Sequence, residues 1–514
     1  MNSTNKIARN TLLLSVRMVL VMLVSLYTVR AILEILGVTD FGIYNVVGGM
    51  VLLLNFLSKN MASATQRFFS YELGQEGNNL KSIFQTNLTI YISLAILIAL
   101  FCTTVGFWFL NTQMNIPENR MNAAVWVYIC AIFSFVFRLL SIPYQAILIS
   151  YEKMGLFAWL SIVEVICLLL IVFLLPIIPN DKLRNYGILV FIVNVIVSGL
   201  YALICQLRYK ECQLGINTNI AQLKKILSFT GWSLYGGFAI VLRNNGTNIL
   251  LNIFFGPVIN AARGIAYQAH NAIYTFVTNF TVALTPQIVK NYASGQKQRM
   301  INLIFRGSRM CYYIMLLLTI PIMLQTSYIF TLWLKEVPYY TIFFTRLVLI
   351  TAIIDSITIP LTSAIEATGK IVRYQLIIGS IQYSIIPISY LLLKNGEAPY
   401  TPMIVAIIVA IITFLLKIYL AGKSIQFSKL EYLKKVVFKI TGVTVAAYSI
   451  SLSFILIYNT EQESFGNFVM ISSVCFIATL FAIYTLGIDT TERDLVINKI
   501  RIHLFRKVGI YGKE

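Results

Sequence analysis

The chain has 514 residues, of which 58% are hydrophobic and 12% charged, with 40 Lys and Arg against 20 Asp and Glu. Ordinary soluble domains carry about 25% charged residues, so this chain has too few charges to cover a water-facing surface and too much apolar mass for disorder. The formal charge of +20 would suit nucleic acid in a soluble protein; here it belongs to loops beside a bilayer, and nucleic acid is excluded as a partner.

A membrane helix needs about 20 mostly apolar residues. In chain order fourteen such runs occur, near 11–35, 42–62, 84–110, 121–148, 154–175, 186–205, 229–255, 260–286, 310–333, 341–366, 374–393, 403–421, 440–458 and 468–487. The chain is therefore read as an all-α integral membrane protein of about 14 transmembrane helices. The runs at 42–62 and 260–286 are the most polar of the set. No loop is long enough for a separate folded domain. The first run is interrupted by Arg17 and followed by no small-residue cleavage site, so it is not read as a cleavable signal. Of the seven Cys, Cys212 lies in a basic loop and the others in apolar runs, so no disulfide framework is expected.

With the N-terminus inside, one set of loops holds 27 Lys and Arg and the opposite set 5. That asymmetry predicts both termini in the cytoplasm and an even number of spans.

The sequence repeats at a spacing near 220 residues. Gly37–Gln75 parallels Gly256–Gln296, and Ser141-Ile142-Pro143 parallels Thr358-Ile359-Pro360. Spans 1–6 and 7–12 are thus two six-helix lobes in a parallel pseudo-repeat around a central cavity, with two C-terminal helices appended. The expected organisation is an N-terminal lobe over 1–206, an interfacial linker over 207–228, a C-terminal lobe over 229–421, a linker and two helices over 422–487, and a basic tail over 488–514.

An ionised side chain at membrane depth costs several kcal/mol unless it faces protein or water. Arg30, Arg263 and Arg346 fall towards the outer face, Arg138 and Arg243 near the middle, and Arg17 and Lys59 towards the inner face. Together they suggest a water-filled cavity with positive walls. Lys59 and Lys417 are read as snorkelling from span ends. Arg30 has a local alternative in Glu34. Arg17 and Arg30 stand about 140° apart on a straight helix, so one cavity receives both only if span 1 bends. Span 7 carries six consecutive non-apolar residues, Arg243 to Asn248, in which Asn244 and Asn248 share a face with Asn252. Span 8 adds Asn260, Arg263, Tyr267 and Asn271 at helical spacing. Amides and tyrosines beside arginines suit sugar hydroxyls and phosphate oxygens; helix–helix hydrogen bonding is the competing use. Arg138 and Asp355 each precede a repeat-equivalent proline by five residues. The expectation is a pair across the cleft that parts when an anion is loaded, with Glu164, alone in span 5, as a further gate or coupling residue. Glu366 closes span 10 and is expected to reach water. Two His, no Cys/His cluster of metal spacing and no phosphate-cradling glycine loop leave no catalytic machinery, so the chain is not read as an enzyme.

Particular segments resemble the multidrug/oligosaccharidyl-lipid/polysaccharide (MOP) exporter superfamily, and within it the bacterial polysaccharide flippases of the Wzx/PST type. They are Asn10-Thr11 with Arg17; Leu26-Tyr27, Arg30 and Leu36-Gly37; Ala64-Thr65-Gln66-Arg67-Phe68; and Phe255-Gly256-Pro257 with Asn260-Ala261-Ala262-Arg263-Gly264-Ile265-Ala266. The resemblance covers roughly residues 5–430. It implies an undecaprenyl-diphosphate-linked oligosaccharide moved from the cytoplasmic to the periplasmic leaflet of the bacterial inner membrane, for O-antigen, capsule or exopolysaccharide synthesis. It further implies that Arg17 and Arg263 bind the diphosphate, as arginines do in the similar lipid II flippase. No cofactor is implied. H+, Na+ and the membrane potential all stay open as the driving force, and other polysaccharide-assembly membrane proteins are expected partners beside the bilayer. Two rival readings are a cation-coupled multidrug exporter of the same superfamily, disfavoured by the cationic cavity, and a membrane polymerase or ligase, disfavoured by external loops of about ten residues.

Overall fold

A computed structural model describes residues 3–52, 55–75, 79–113, 116–179, 181–215, 219–334, 337–458, 464–489 and Arg493. Among these there is no β-strand. The helices are α1 (Ser3–Leu52), α2 (Asn55–Gly74), α3 (Leu80–Phe101), α4 (Phe107–Gln113), α5 (Met121–Ser150), α6 (Met154–Leu174), α7 (Lys182–Arg208), α8 (Ile220–Phe255) and α9 (Pro257–Ala293). They continue with α10 (Lys297–Leu324), α11 (Thr326–Trp333), α12 (Thr341–Ala367), α13 (Val372–Tyr383), α14 (Ile385–Lys394), α15 (Thr401–Ile425), α16 (Lys429–Tyr432), α17 (Phe438–Tyr458) and α18 (Phe465–Ala482).

Twelve described segments are long and apolar enough to cross a membrane, and α1 adds a shorter apolar stretch at Asn10–Ser25. Bare apolar side chains such as Leu97 at 63%, Ile253 at 67%, Leu456 at 71% and Ile477 at 67% exposure fit helices that face lipid rather than water. Hydroxyl side chains on these helices bond the carbonyl one turn back, as Thr86 does to Ser82, Thr345 to Thr341 and Thr479 to Cys475, so they need no water. Prolines 143, 286, 321 and 360 sit inside helices, which membrane helices tolerate when neighbours satisfy the freed backbone.

Two expected spans need correction. The run expected at 42–62 falls across the end of α1 and the start of α2; its polar residues belong to a helix that continues to Gly74. The run expected to open at 310 begins at Lys297, because α10 extends through Arg299, Arg306 and Arg309, which the sequence reading placed in a loop.

The repeat reappears in local backbone geometry. Gly37 breaks α1 with φ +77°, and Gly256 separates α8 from α9 with φ +79°. Both positions lie in the left-handed region, where only glycine is at ease. Glu152, in the α5–α6 turn, has φ +59°, and Gly369, in the α12–α13 turn, has φ +75°. These last two stand 217 positions apart, as do Pro143 and Pro360.

The chain forms two compact units. The first comprises 1–244, 279–300 and 363–383. Its apolar core gathers Phe69, Phe84, Tyr91, Leu139 and Ile147 from α2, α3 and α5, with Val193, Val197 and Tyr201 of α7. The second comprises 245–278, 301–362 and 384–514. One of its cores packs Leu251, Ala262 and Ala266 against Phe344, Val348 and Met403. Arg309, 1% exposed, ties α10 to Asp489 beyond α18, and Lys439 of α17 donates to the same carboxylate.

Candidate functional site

In the first unit, Arg17 on α1 lies 4.9 Å from the centre of the Phe157 ring on α6. Its Nε is buried and has no hydrogen-bond partner among the described residues. The Tyr201 hydroxyl of α7 donates to the Phe157 carbonyl at 3.5 Å, so Arg17 faces an aromatic wall. Arg138 on α5 donates to Glu164 on α6 at 3.0 Å and to Asn194 on α7 at 3.2 Å. Glu164, the one acidic residue of its span, is thus ion-paired. Its partner came from a different helix and was invisible to spacing along one stretch of sequence. Arg243 and Asn244 lie half-buried on α8, and the Asn244 Oδ1 is buried with no hydrogen-bond partner among the described residues. α1 runs without a break from Arg17 past Arg30, its bend coming at Gly37; the Arg30 side chain lies outside the described residues.

In the second unit, Arg263 is 3% exposed. Its guanidinium donates to the Asn248 side-chain oxygen and lies 4.2 Å from the Tyr267 ring centre. Three residues singled out from spacing on two different helices therefore meet. Tyr267, His270 and Tyr274 continue as a line of stacked or tilted rings, at 5.6 and 5.2 Å between centres. The Asn260 side chain is outside the described residues, and Asn271 is exposed, with its Oδ1 3.1 Å from His270 Nδ1. Arg346 is exposed and donates to Thr326 at 3.3 Å. Asp355 is half-buried on α12, and its carbonyl accepts from Thr358 at 2.7 Å. Lys417 is not a snorkelling side chain: it is 8% exposed, and its ammonium donates to Thr358 at 3.0 Å. Lys59 is exposed, as expected of a residue near a helix end.

The first unit also holds two reciprocal clasps that sequence reading missed. Arg67 of α2, counted there as a loop cation, is 5% exposed. It donates to the Glu366 carbonyl at 3.0 Å and the Ala367 carbonyl at 2.8 Å, closing the end of α12. The guanidinium is packed among Phe68, Tyr71 and Phe229, at 4.9, 4.8 and 5.2 Å from the ring centres. In the other direction, Lys290 of α9 donates to Glu152 at 2.8 Å, and Gln287 adds a 2.5 Å bond. The Glu152 side chain is 3% exposed. So α2 of the first sequence copy grips the α12–α13 turn of the second, and α9 of the second grips the α5–α6 turn of the first. Glu152 and Gly369, which sit in the two gripped turns, are repeat equivalents. α2 and α9 cross closely beside the clasps: a Cβ on Gly74 would come within 2.6 Å of the Lys290 carbonyl. Both clasps lie on the side of the lysine- and arginine-rich loops.

Towards the opposite helix ends, Arg120 bridges Asp40 and Asp181, at 2.7 Å to the latter. Asp181 also caps α7, accepting from the Leu183 and Arg184 amides at 3.0 and 3.2 Å. Burial works against ionisation of Asp181, but the hydrogen bonds from Arg120 and the two amides prevail and hold its carboxyl below its ordinary value.

No family model matches the chain, and no curated protein matches it. Solved structures do. A crystal structure of a MATE mutant superposes with a TM-score of 0.71 at 12% identity, over 83% of this chain and 98% of that one. The "outward-facing conformation of a multidrug resistance MATE family transporter of the MOP superfamily" gives 0.67 at 13% identity, over 82% and 97%. A MOP superfamily transporter from Pyrococcus furiosus Vc1, whose pocket is described as having reverse polarity suggesting a different function, gives 0.66 at 11% identity, over 83% and 98%. The chain has the all-helical fold of the MATE transporters of the MOP superfamily.

Proposed function

We propose that the chain is a flippase that moves an undecaprenyl-diphosphate-linked oligosaccharide from the cytoplasmic to the periplasmic leaflet of the bacterial inner membrane by alternating access. Arg17 carries this reading. It stands in an apolar helix with a buried, unsatisfied Nε and no ion pair among the described residues. A guanidinium in that position costs several kcal/mol unless an anion compensates it, and its fork matches phosphate oxygens bidentately. Arg263, seated between Asn248 and Tyr267, is the second phosphate anchor; the amides and tyrosines nearby serve sugar hydroxyls. H+, Na+ or the membrane potential drives the cycle, and the Arg67 and Glu152 clasps part when their side of the protein opens. The reverse polarity described for the Pyrococcus furiosus transporter supports a fold that accepts ligands of different charge.

The test is complementation of a flippase-null strain with surface glycan as the readout. Arg17→Ala should abolish export while the protein still inserts, and Arg17→Lys should restore only part of it. Full export by an Arg17→Ala/Arg263→Ala double variant would refute the reading. The description of one neighbour as a multidrug resistance transporter favours a second reading, export of cationic drugs. In that case dye efflux, not glycan export, would require the chain, and Arg17→Ala would leave efflux intact.

A further inference from the structure

In the first unit, Arg138 belongs to a helix long and apolar enough to cross a membrane, and its ion pair with Glu164 has a particular form. Both of its hydrogen bonds, to Glu164 on α6 at 3.0 Å and to the Asn194 side-chain oxygen on α7 at 3.2 Å, leave from one nitrogen, Nη2. A guanidinium grips a phosphate through two parallel N–H groups, taken either from Nε and Nη2 or from Nη1 and Nη2. Nη2 belongs to both pairs. With its two hydrogens given to Glu164 and Asn194, Arg138 has no fork to offer until one of them lets go. Asn194 is the fixed one: it is 8% exposed, and its amide donates to the Val190 carbonyl at 2.8 Å. The Glu164 side chain is more open, at 28% exposure, and its carboxylate is repelled by an arriving anion. A pair that only fastened α5 to α6 would be shielded on both sides; here the Arg138 side chain stays 48% exposed.

The same carboxylate acts on a second arginine. Tyr201, bonded to the Phe157 carbonyl, lies seven residues from Asn194 on α7, and Phe157 lies seven residues from Glu164 on α6. Seven residues are about two turns, or about 10 Å, of helix. Arg17, packed on Phe157, therefore sits about two turns nearer the Glu152 end of α6 than Arg138 does. Across that distance it feels the Glu164 charge, without an ion pair among the described residues. A phosphate passing from Arg17 to Arg138 thus meets Glu164 on the way. On the flippase reading, in which Arg17 receives a lipid-linked diphosphate, we propose that Glu164 is a resident counter-anion: it holds Arg138 while the site is empty and cedes it to a phosphoryl group handed on from Arg17. Arg138 is then a further phosphate seat within this unit, and Glu164 decides when it is filled. The exchange replaces one anion by another, so the guanidinium is compensated in both states and only hydrogen bonds are broken and made.

The test is binding to the full-length protein in detergent by isothermal titration calorimetry, with farnesyl diphosphate as the probe and farnesol and inorganic pyrophosphate as its two halves. Farnesyl diphosphate should bind more tightly than either half, and Arg17→Ala and Arg138→Ala should each weaken it. Glu164→Gln keeps the side-chain shape and removes the competing charge. It should bind farnesyl diphosphate about 5-fold more tightly, the ~1 kcal/mol upper value for a partly exposed ion pair converted at about 1.4 kcal/mol per tenfold. In the Arg138→Ala background the same change should gain little, a coupling expected of touching residues. Surface-glycan export by Glu164→Gln should fall although affinity rises, because no carboxylate retakes Arg138 at release; loss of a merely structural pair would not raise affinity. Should Glu164→Gln fail to fold, Glu164→Asp retracts the carboxylate by one methylene with its charge kept, and should tighten binding by a smaller factor. Binding that depends on Arg17 yet is unchanged or weakened in the Glu164 variants, or that gains as much with alanine at 138 as with arginine, would overturn the exchange and leave the flippase reading standing. Farnesol or pyrophosphate binding as tightly as farnesyl diphosphate, or no binding of the probe at all, would sink the flippase reading and the exchange together.

Discussion

Replacing Gly369 by alanine tests the clasp on the α12–α13 turn. The backbone there has φ +75°, and an added Cβ would stand 2.8 Å from one terminal nitrogen of Arg67 and 3.4 Å from its central carbon. The left-handed backbone costs an L-residue about 1–2 kcal/mol. Arg67 is a flexible side chain, but three rings pack against its guanidinium and two carbonyls accept from it. Moving it forfeits at least one charged hydrogen bond, worth about 1.5–3 kcal/mol. The expected total is about 2.5–5 kcal/mol. Gly396→Ala is the control, because Gly396 has φ +89° and nothing within 4 Å of its Cβ position; it should lose only the backbone part. The measurement is unfolding of the purified variants in one detergent, by heat and by denaturant. The double variant Arg67→Ala/Gly369→Ala removes the clash, so it should be less damaging than the two single losses added together, a coupling expected of touching residues. If Gly369→Ala is no worse than Gly396→Ala, and the double variant is additive, the clasp does not hold the turn as argued.

Glu152→Gln should keep a hydrogen bond to Gln287 but lose the 2.8 Å ion pair with Lys290. Because the carboxylate is buried and its partner only partly so, the loss should be about 1–3 kcal/mol, below the roughly 3–5 kcal/mol of a fully buried pair; unfolding in detergent at neutral pH reads it. Asp181 supplies a pH dependence of known sign: its folded carboxyl is held below the ordinary value, so its contribution is complete above about pH 4 and lost as pH falls through the lower folded value. Unfolding temperature should therefore drop on acidification below about pH 4 in the parent, and Asp181→Asn should start lower and fall less over the same range; identical acid limbs in the two proteins would contradict the assignment.

The membrane architecture was legible because hydrophobicity over about twenty residues is a large, local signal. The repeat was legible for the same reason: Pro143 with Pro360, and Gly37 with Gly256, mark backbone events that recur in each copy. What escaped was everything set by contact between distant segments. Arg67 and Arg309 read as loop cations because they follow polar stretches, yet one is 5% and the other 1% exposed. Helices running past their apolar windows carried both inward. Lys417 read as snorkelling because its methylene stem could reach an interface, but Thr358 lay within reach at 3.0 Å. Glu164 read as isolated because its partner, Arg138, is on another helix. The grouping of Arg263, Asn248 and Tyr267 was accessible because helical period placed them on facing sides of consecutive spans. Which of two sequence copies a clasp would bind was not, since it depends on how α2 and α9 cross.

The paired breaks at Gly37 and Gly256 have a stereochemical meaning. Around each, a Cβ built on the backbone meets nothing within 4 Å, so neither position is reserved for glycine by lack of room. What excludes other residues is chirality alone: the torsions are those of a mirror-image peptide unit. A D-alanine would sit at either site with its methyl in open space, whereas its L-enantiomer would strain the chain. Each break is thus a change of hand confined to one residue, so the helix axis is redirected by two torsions, and glycine writes it twice without the strain an L side chain would bear there.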